Sequence, residues 1–252
     1  MIEYSVVIPA FNEADKITTS LTQVLSYMRS FSNSFEVIIV DDGSKDNTAD
    51  IVEKYLESNS CPEIKLIKNP HKGKGPAVWT GVMNAEGEYI YTADADLSTP
   101  MTELKKLSLW IKEHNFDIVI ASREGAGAQR INEPFYRHLL GRVFNYVVQL
   151  FALPGIRDSQ CGFKLFKKEA AKTTFKKLKL YGETAKTTDK AYLGAWDVEV
   201  LYLARKLGYK IKEIPVTWVY VKTTRLNPFK DSLKMLMDVM RVRINYLKGV
   251  YK

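Results

Sequence analysis

Cysteine and histidine are scarce in this sequence of 252 residues, which has two cysteines and three histidines. Cys61 and Cys161 do not have the spacing of metal ligands, and the three histidines lie far apart along the chain. This argues against a cysteine–histidine zinc site and against a disulfide framework. We therefore expect two free thiols in a reducing compartment.

Long hydrophobic runs and the common nucleotide-binding signatures are missing as well. The most apolar run, 143–156, is shorter than the roughly 20 residues that a membrane-spanning helix needs, so we expect no transmembrane helix. No Gly-x-Gly-x-x-Gly follows the first predicted strand, and no Walker Gly-Lys-Ser/Thr occurs. A nucleotide would have to be bound by other means.

Basic residues exceed acidic ones, which gives a net charge of +8 and a pI near 9.2. Such a charge favours a polyanionic partner, either nucleic acid, an anionic membrane surface or a phosphorylated substrate. Much of it lies in 222–252, which holds eight basic and two acidic residues. The aromatic residues are not interleaved with the basic ones as stacking platforms would be, so we expect no nucleic-acid partner.

Short apolar strands alternate with amphipathic helices over about the first 120 residues. This alternation predicts an α/β fold with a mostly parallel sheet flanked by helices. We place strands at 4–10, 35–40, 64–67, near 89 and at 117–121, with further strands at 164–166 and in 211–220.

Polar residues follow three of these strands: Asn12 and Glu13, Asp41 and Asp42, and Asp94 and Asp96. Ligands bind at the carboxyl ends of the strands in open α/β sheets, so we expect these residues to meet in one crevice. Side chains two apart on a strand point the same way. Asp94 and Asp96 could then hold a divalent metal that carries a diphosphate. The alternative is an acidic strand-to-helix turn in which Asp96 or Ser98 only caps.

Several motifs together resemble family 2 glycosyltransferases of the GT-A fold. They are VIPAFNE at 7–13, VDDGSKDNT at 40–48, KGKG at 72–75, DAD at 94–96, DSQCGFKLF at 158–166 and WDVE at 196–199. The sequence is most similar to the dolichyl-phosphate β-glucosyltransferase branch and more distantly similar to dolichyl-phosphate mannose synthases. This resemblance implies a Rossmann-like GT-A domain over 1–220, with a nucleotide-sugar-binding half (1–123) and an acceptor-binding half (124–220).

The resemblance also implies which residues bind the donor. A nucleotide sugar would contact Pro9, Ala10, Asn12, Glu13, Asp41, Asp42, Lys74, Asp94 and Ala95. Asp94 and Asp96 would hold Mg²⁺ or Mn²⁺ on the diphosphate. Mannose synthases have a metal-binding glutamine two residues after the second aspartate, where this sequence has Ser98. That difference favours the glucosyl branch and leaves a third ligand open.

For the acceptor, the resemblance implies contacts from Arg123, Arg137, Asp158, Gln160 and Asp197. The resemblance implies that the catalytic residues are Asp96, Arg123, Arg137 and Asp158. The two arginines suit a phosphate because an arginine fork binds it bidentately. A lipid monophosphate is already ionised at pH 7, so Asp158 would only position it, whereas a hydroxyl acceptor would require Asp158 as a base. Asp197 and Glu199 could instead be acidic residues that complement a helix dipole, and Arg130 and Arg142 could lie on a solvated helix face.

Two helices are candidates for contact with a membrane surface. The apolar segment 136–153 could lie among lipid headgroups or pack in the core. The segment 221–252 reads as a basic amphipathic helix, with apolar Leu233, Leu236, Met237, Met240 and Ile244 at helical spacing. Its alternative is a helix packed on the domain. The extra polar residues within 181–195 could close over the acceptor or decorate the surface.

We therefore predict an inverting, metal-dependent transferase that moves a hexose to dolichyl or polyprenyl phosphate at the cytoplasmic face of a membrane. Glucose from UDP-glucose is the favoured donor. The alternatives are a mannosyltransferase that uses GDP-mannose and a glycosyltransferase that acts on a glycan or lipid hydroxyl. The sequence is also compatible with a homo-oligomer.

Overall fold

The computed structural model describes residues 1–188, 194–221 and 228–251, and for 228–231 it describes the backbone alone. Its centre is a seven-stranded sheet in the order β3-β2-β1-β4-β7-β5-β8. The strands are β1 (Tyr4–Ala10), β2 (Phe35–Asp41), β3 (Ile64–Lys68), β4 (Tyr89–Thr92), β5 (Ile118–Ser122), β7 (Lys164–Lys167) and β8 (Ile211–Pro215). β7 runs antiparallel between β4 and β5, and the other pairs are parallel. The predicted mostly parallel α/β sheet is confirmed.

Helices cover both faces of this sheet. They are α1 (Ile17–Phe31), α2 (Thr48–Asn59), α3 (Lys74–Asn84), α4 (Leu104–Glu113), α5 (Phe135–Phe151), α6 (Lys168–Lys176), α7 (Trp196–Lys206) and α8 (Pro228–Leu247). The first, second and fourth pack on one face, and the other five pack on the opposite face. Successive residues of β1 alternate between the two cores, with Val6 and Ile8 in one and Val7 in the other. Because both faces are covered, the strands read as continuous apolar runs.

A second, two-stranded sheet lies beside the ends of the central strands. It pairs β6 (Gln129–Ile131) with β9 (Thr217–Val219) in parallel. The backbone N–H of Val216 donates to the carbonyl of Ser122 at the end of β5, and that of Val219 donates to Ser98 beyond β4. This small sheet therefore carries the residues after β8 across the carboxyl edge of the main sheet.

The C-terminal helix packs on the domain through a different set of side chains from the predicted apolar set. α8 buries Met235, Val239 and Val242 against the core shared with α5 and α7. Most of the predicted set is exposed instead: Leu233, Met237, Met240 and Ile244. The side chains of 228–231 and the whole of 222–227 and residue 252 lie outside the described part of the chain, so four of the eight basic side chains of the tail, Lys222, Arg225, Lys230 and Lys252, are not placed.

α5 is also only partly covered. It buries Phe144, Asn145 and Val148. Its large exposed side chains are Phe135, Tyr136, Leu139, Val143, Tyr146 and Leu150. Within the described ranges, no helix is long and apolar enough to cross a bilayer.

Candidate active site

A cavity opens at the carboxyl edge of the sheet, where the loops after β1, β2, β4 and β5 meet. Of the residues predicted for the donor, seven line it: Pro9, Ala10, Glu13, Asp42, Lys74, Asp94 and Ala95. Asp96, Arg123, Arg137 and Gln160 line it too. Four predicted contact residues do not: Asn12, Asp41, Asp158 and Asp197.

Asn12 and Asp41 support the cavity wall from behind. The side-chain oxygen of Asn12 accepts a hydrogen bond from the Lys45 backbone N–H at 2.7 Å, and its own N–H donates to Ser44 Oγ at 2.9 Å. Asp41 is buried and accepts from the Ser44 backbone N–H at 3.2 Å. Asn12 thus joins the loop after β1 to the loop after β2, whereas Asp41 holds the loop after β2. Neither residue lines the cavity, and their contact with a nucleotide stays a prediction.

Asp42 organises the donor side of the cavity together with two aromatic rings. Its carboxylate accepts from the backbone N–H groups of Lys72 and Gly73 and lies 2.7 Å from His71 Nδ1. Burial raises the pKa of Asp42 against the effect of these donors. The His71 ring stacks on Phe11, with ring centroids 4.0 Å apart, and both rings line the cavity. Neither ring of this stacked pair was among the site residues predicted from the sequence.

The two central acids lie just beyond the strand that was expected to carry them. β4 ends at Thr92, and a turn with Leu97 at a φ of 47° follows. The i, i+2 strand geometry is therefore wrong, although Asp94 and Asp96 both face the cavity. Lys74 Nζ contacts Asp94 Oδ1, and the Ser98 N–H donates to Asp96 Oδ1 at 3.0 Å.

The pKa values of the two acids are shifted in opposite directions, and Lys74 lies against Asp94. Burial would raise the pKa of Asp94, but the neighbouring ammonium outweighs burial and lowers it. The pKa of Asp96 is raised by burial and then by the negative charge of Asp94. The anionic form of Asp94 is thus favoured. The anionic form of Asp96 is disfavoured, and a further cation would stabilise it.

This donor set fits a divalent cation. Mg²⁺ and similar ions are often held by one or two carboxylates and complete their coordination with substrate phosphate and water. In the described part of the chain, no cluster of three or more histidine, cysteine, aspartate or glutamate side chains could hold a metal. Asp94 and Asp96 on an open cavity match the two-carboxylate arrangement, and the ammonium on Asp94 shows that the position favours a positive charge.

Gly162 leaves the space that Asp94 occupies. A Cβ at residue 162 would overlap the carboxylate of Asp94. The neighbouring backbone is fixed because Thr92 Oγ1 donates to the Gly162 carbonyl at 2.8 Å. The glycine of the predicted QCGF motif is therefore part of the acid site.

Asp158 is buried completely and is occupied by Arg123. Arg123 Nε and Nη2 donate to its two oxygens at 2.7 and 2.8 Å, and the Arg123 N–H adds a bond of 2.9 Å. Burial alone would raise the pKa of Asp158, yet the guanidinium holds it well below its usual range. The carboxylate thus orients Arg123 and is not among the residues that line the cavity, so its direct contact with the acceptor stays a prediction.

Arg137 differs from the arginines on either side of it. Arg130 pairs with Glu124 and Glu133 at 2.5 and 2.6 Å, and Arg142 pairs with Glu124 at 2.8 Å. Arg137 lines the cavity, lies 5.0 Å from the Tyr220 ring centroid and has no carboxylate partner among the described residues. It is therefore available to an anionic ligand.

Asp197 and Glu199 lie outside the lining of the cavity. Asp197 pairs with the buried ammonium of Lys164, and burial raises its pKa. Glu199 accepts hydrogen bonds from the backbone N–H groups of residues 179, 180 and 181 and from the Tyr251 hydroxyl. The carboxylate of Asp197 is paired with Lys164 and does not line the cavity, and its contact with an acceptor stays a prediction.

The extra polar segment lies against the donor side in its described part. The Thr188 N–H donates to the His71 carbonyl at 2.9 Å, and Lys72 Nζ donates to the Glu183 carbonyl at 3.3 Å. Residues 189–193 lie outside the described ranges. The segment 182–188 thus packs beside His71 and Lys72, and whether it closes over the acceptor or only decorates the surface stays open.

Comparison with protein families identifies the class of this fold and site. Residues 5–175 match the model of glycosyl transferase family 2, and the chain belongs to that family. The dolichyl-phosphate β-glucosyltransferase of Dictyostelium discoideum is 34% identical over 100% of this chain and 77% of its own length. The human enzyme of the same name is 34% identical over 99% of this chain and 78% of its length. The predicted family and branch are confirmed.

Solved structures show the same fold at low identity. A mannosyltransferase from Pyrobaculum calidifontis, solved with GDP-mannose and Mn²⁺, has a TM-score of 0.63 and 19% identity over 95% of this chain and 64% of its own. A glucosyl-3-phosphoglycerate synthase from Mycobacterium tuberculosis, solved with Mn²⁺, UDP-glucose and phosphoglyceric acid, has a TM-score of 0.61 and 16% identity over 96% of this chain and 78% of its own.

Proposed function

We propose that this protein is an inverting, metal-dependent glucosyltransferase that moves glucose from UDP-glucose to a dolichyl or polyprenyl phosphate. One observation carries the proposal. A single cavity is lined both by the acid pair Asp94 and Asp96 and by Arg137, a cation without a carboxylate partner among the described residues. The full-length relatives named as dolichyl-phosphate β-glucosyltransferases support the choice of sugar and acceptor.

The donor binds on the side of Asp42. Phe11 and His71 offer apolar and aromatic surface to the base, and Asp42 and Glu13 offer oxygens to its N–H groups or to the ribose hydroxyls. Asp94 and Asp96 would hold Mg²⁺ or Mn²⁺ against the diphosphate. The bound metal supplies Lewis-acid stabilisation of the departing nucleoside diphosphate.

The acceptor phosphate binds on the side of Arg137. Arg123, fixed by Asp158, and Arg137 present guanidinium groups to its oxygens. The phosphate is ionised at pH 7, so its oxygen attacks the anomeric carbon without a general base. The low pKa of the buried Asp158 agrees with this, because a carboxylate held by Arg123 is a poor proton acceptor. Orientation of the two substrates then supplies much of the acceleration.

The acceptor lipid places the reaction at a membrane surface, and we propose peripheral binding at the cytoplasmic face. The exposed apolar side chains of α5 and the net charge of +8 support binding to an anionic bilayer. The two free, buried cysteines are consistent with a reducing compartment. Self-association and the lack of a nucleic-acid partner stay predictions.

A thermal-shift experiment tests the donor and the metal. UDP-glucose is expected to stabilise the protein only with Mn²⁺, and GDP-mannose is expected to have a smaller effect. Asp96→Ala is expected to abolish the shift, because one of two metal ligands is lost. Asp50→Ala, an exposed acid on α2, serves as the matched control. Equal shifts in the wild type and in Asp96→Ala would contradict the metal assignment.

A radiolabel transfer assay tests the acceptor. Polyprenyl phosphate is expected to accept glucose, whereas free polyprenol and free sugars are not. Transfer to polyprenol or a glycan at the same rate would favour the hydroxyl-acceptor alternative and would contradict the proposed role of the arginines.

A further inference from the structure

The geometry points to Trp218 as a positioning residue that sets the distance between the metal-binding acids and the arginines of the acceptor side. This inference rests on the proposed function. Trp218 lies on the short strand β9, lines the cavity and is only 7% exposed. From the sequence alone, Trp218 is only one residue of the strand region predicted in 211–220.

On the donor side, β9 is bonded to the residue that follows the acid pair. The indole N–H of Trp218 donates to Ser98 Oγ at 3.1 Å, and the Val219 N–H donates to the Ser98 carbonyl at 2.7 Å. The Ser98 N–H in turn donates to Asp96 Oδ1 at 3.0 Å. A chain of hydrogen bonds thus runs from the indole to the carboxylate of Asp96.

On the acceptor side, two rings of the same segment lie under the two arginines. The Arg123 guanidinium lies 5.3 Å from the Trp218 ring centroid, and that of Arg137 lies 5.0 Å from the Tyr220 centroid. The two rings are 6.1 Å apart. Cation–π contact of this kind holds the guanidinium by its face. It leaves the N–H groups of Arg137, and those of Arg123 that are not bonded to Asp158, for phosphate oxygens.

The backbone between these contacts is held in place. β9 pairs with β6, and the Val216 N–H donates to the Ser122 carbonyl next to Arg123. In-line displacement needs the reacting atoms about 3 to 3.5 Å apart, and a misplacement of about 1 Å can cost about 100-fold in rate. A single rigid strand that contacts both sides of the cavity is suited to keep that spacing. Trp218 therefore aligns the acceptor phosphate with the anomeric carbon.

Two variants separate the indole N–H from the aromatic ring. Trp218→Phe keeps a ring beneath Arg123 and removes the hydrogen bond to Ser98, and Ser98→Ala removes the same bond from its other end. Each is expected to slow glucosyl transfer about tenfold and to raise the fraction of UDP-glucose lost to hydrolysis. The affinity for UDP-glucose with Mn²⁺ should stay within about twofold. The double variant should be no worse than either single variant, because both remove one interaction.

Trp110→Phe is the matched control. Trp110 lies on α4, away from the cavity, beneath Lys212, whose ammonium is 4.3 Å from the ring centroid. It should leave both transfer and hydrolysis unchanged. Should Trp218→Phe lower the melting temperature, Ser98→Ala, which removes a single oxygen atom, carries the test.

The outcomes are distinct. A parallel fall of transfer and hydrolysis, or additive losses in the double variant, would overturn the positioning role of Trp218 while leaving the proposed function intact. Absence of transfer to polyprenyl phosphate by the wild-type protein would overturn the proposed function, and the inference about Trp218 with it.

Discussion

Ion pairs shift the pKa values of individual acids around the cavity. Asp94 is paired with Lys74, Asp158 with Arg123 and Asp197 with Lys164. In each pair burial raises the pKa of the acid and the cation lowers it. The cation prevails at Asp94 and Asp158, whereas burial prevails at Asp197. The cation therefore favours the anionic form most at Asp94 and Asp158.

Asp158→Asn is expected to lower the free energy of unfolding at pH 7 by about 3 to 5 kcal/mol, because it leaves the Arg123 charge buried without its partner. The folded-state pKa of Asp158 is depressed, so its stabilisation is present above the unfolded pKa of about 3.9 and is lost as the pH falls through the folded value. Urea unfolding of both proteins should show a constant difference from pH 7 to about pH 5 and a smaller one below about pH 4.

Glu53→Gln is the control for this experiment, because Glu53 and Lys68 form a half-exposed pair. Its effect should stay below about 1 kcal/mol. A difference between wild type and Asp158→Asn that stays constant from pH 7 to below about pH 4 would show that the pKa of Asp158 is not depressed.

Gly162→Ala is expected to remove the Mn²⁺-dependent shift with UDP-glucose while leaving the fold intact. The three atoms nearest the added Cβ all belong to the carboxylate end of Asp94, which can rotate away at small cost to stability but then leaves the cavity. Gly141→Ala on α5 is the control, because a Cβ there meets nothing within 4 Å. Retention of the full shift in Gly162→Ala would mean that Asp94 does not have to hold its observed position.

The helix α5 exposes six large apolar or aromatic side chains to solvent. Val143→Glu and Leu139→Glu, at positions 58% and 54% exposed, are each expected to lower partitioning onto anionic vesicles about tenfold or more. Burying a side chain of this size in lipid contributes about 1.5 to 3 kcal/mol. Vesicle flotation measures the effect, and the melting temperature should not change.

Leu109→Glu on α4 is the matched control, since Leu109 is 47% exposed but belongs to the opposite layer of helices. Equal losses in the α4 and α5 variants would show that general charge, and not the face of α5, governs binding.

The spacing of apolar residues predicts most helices and strands. It fails where the same spacing is compatible with more than one buried face. The apolar residues of α1 recur at helical spacing, and Ile17, Leu21 and Val24 are buried as expected. α8 is apolar on more than one side, so its pattern did not reveal that Met235 and Val239 face the core. The antiparallel insertion of β7 between β4 and β5 leaves no local signature, because it depends on pairing across many residues.

The sequence predicts that the loops after the parallel strands meet at one edge of the sheet. It does not predict which side chains contact each other there. Parallel strands bring their carboxyl ends to one edge, which places Glu13, Asp42 and Asp94 in one cavity. The partners within it come from distant segments, such as His71 against Phe11 and Trp218 against Ser98. Such pairs are set by tertiary packing, which a single sequence does not encode as a local pattern.

The resting contact between Lys74 and Asp94 links two binding events under the proposed function. A divalent cation that enters alone has to compete with an ammonium that already balances the acid. A cation that enters with a diphosphate brings a new anion to which the released ammonium can turn. Ion and nucleotide then strengthen each other's binding by the same factor, because such coupling is reciprocal.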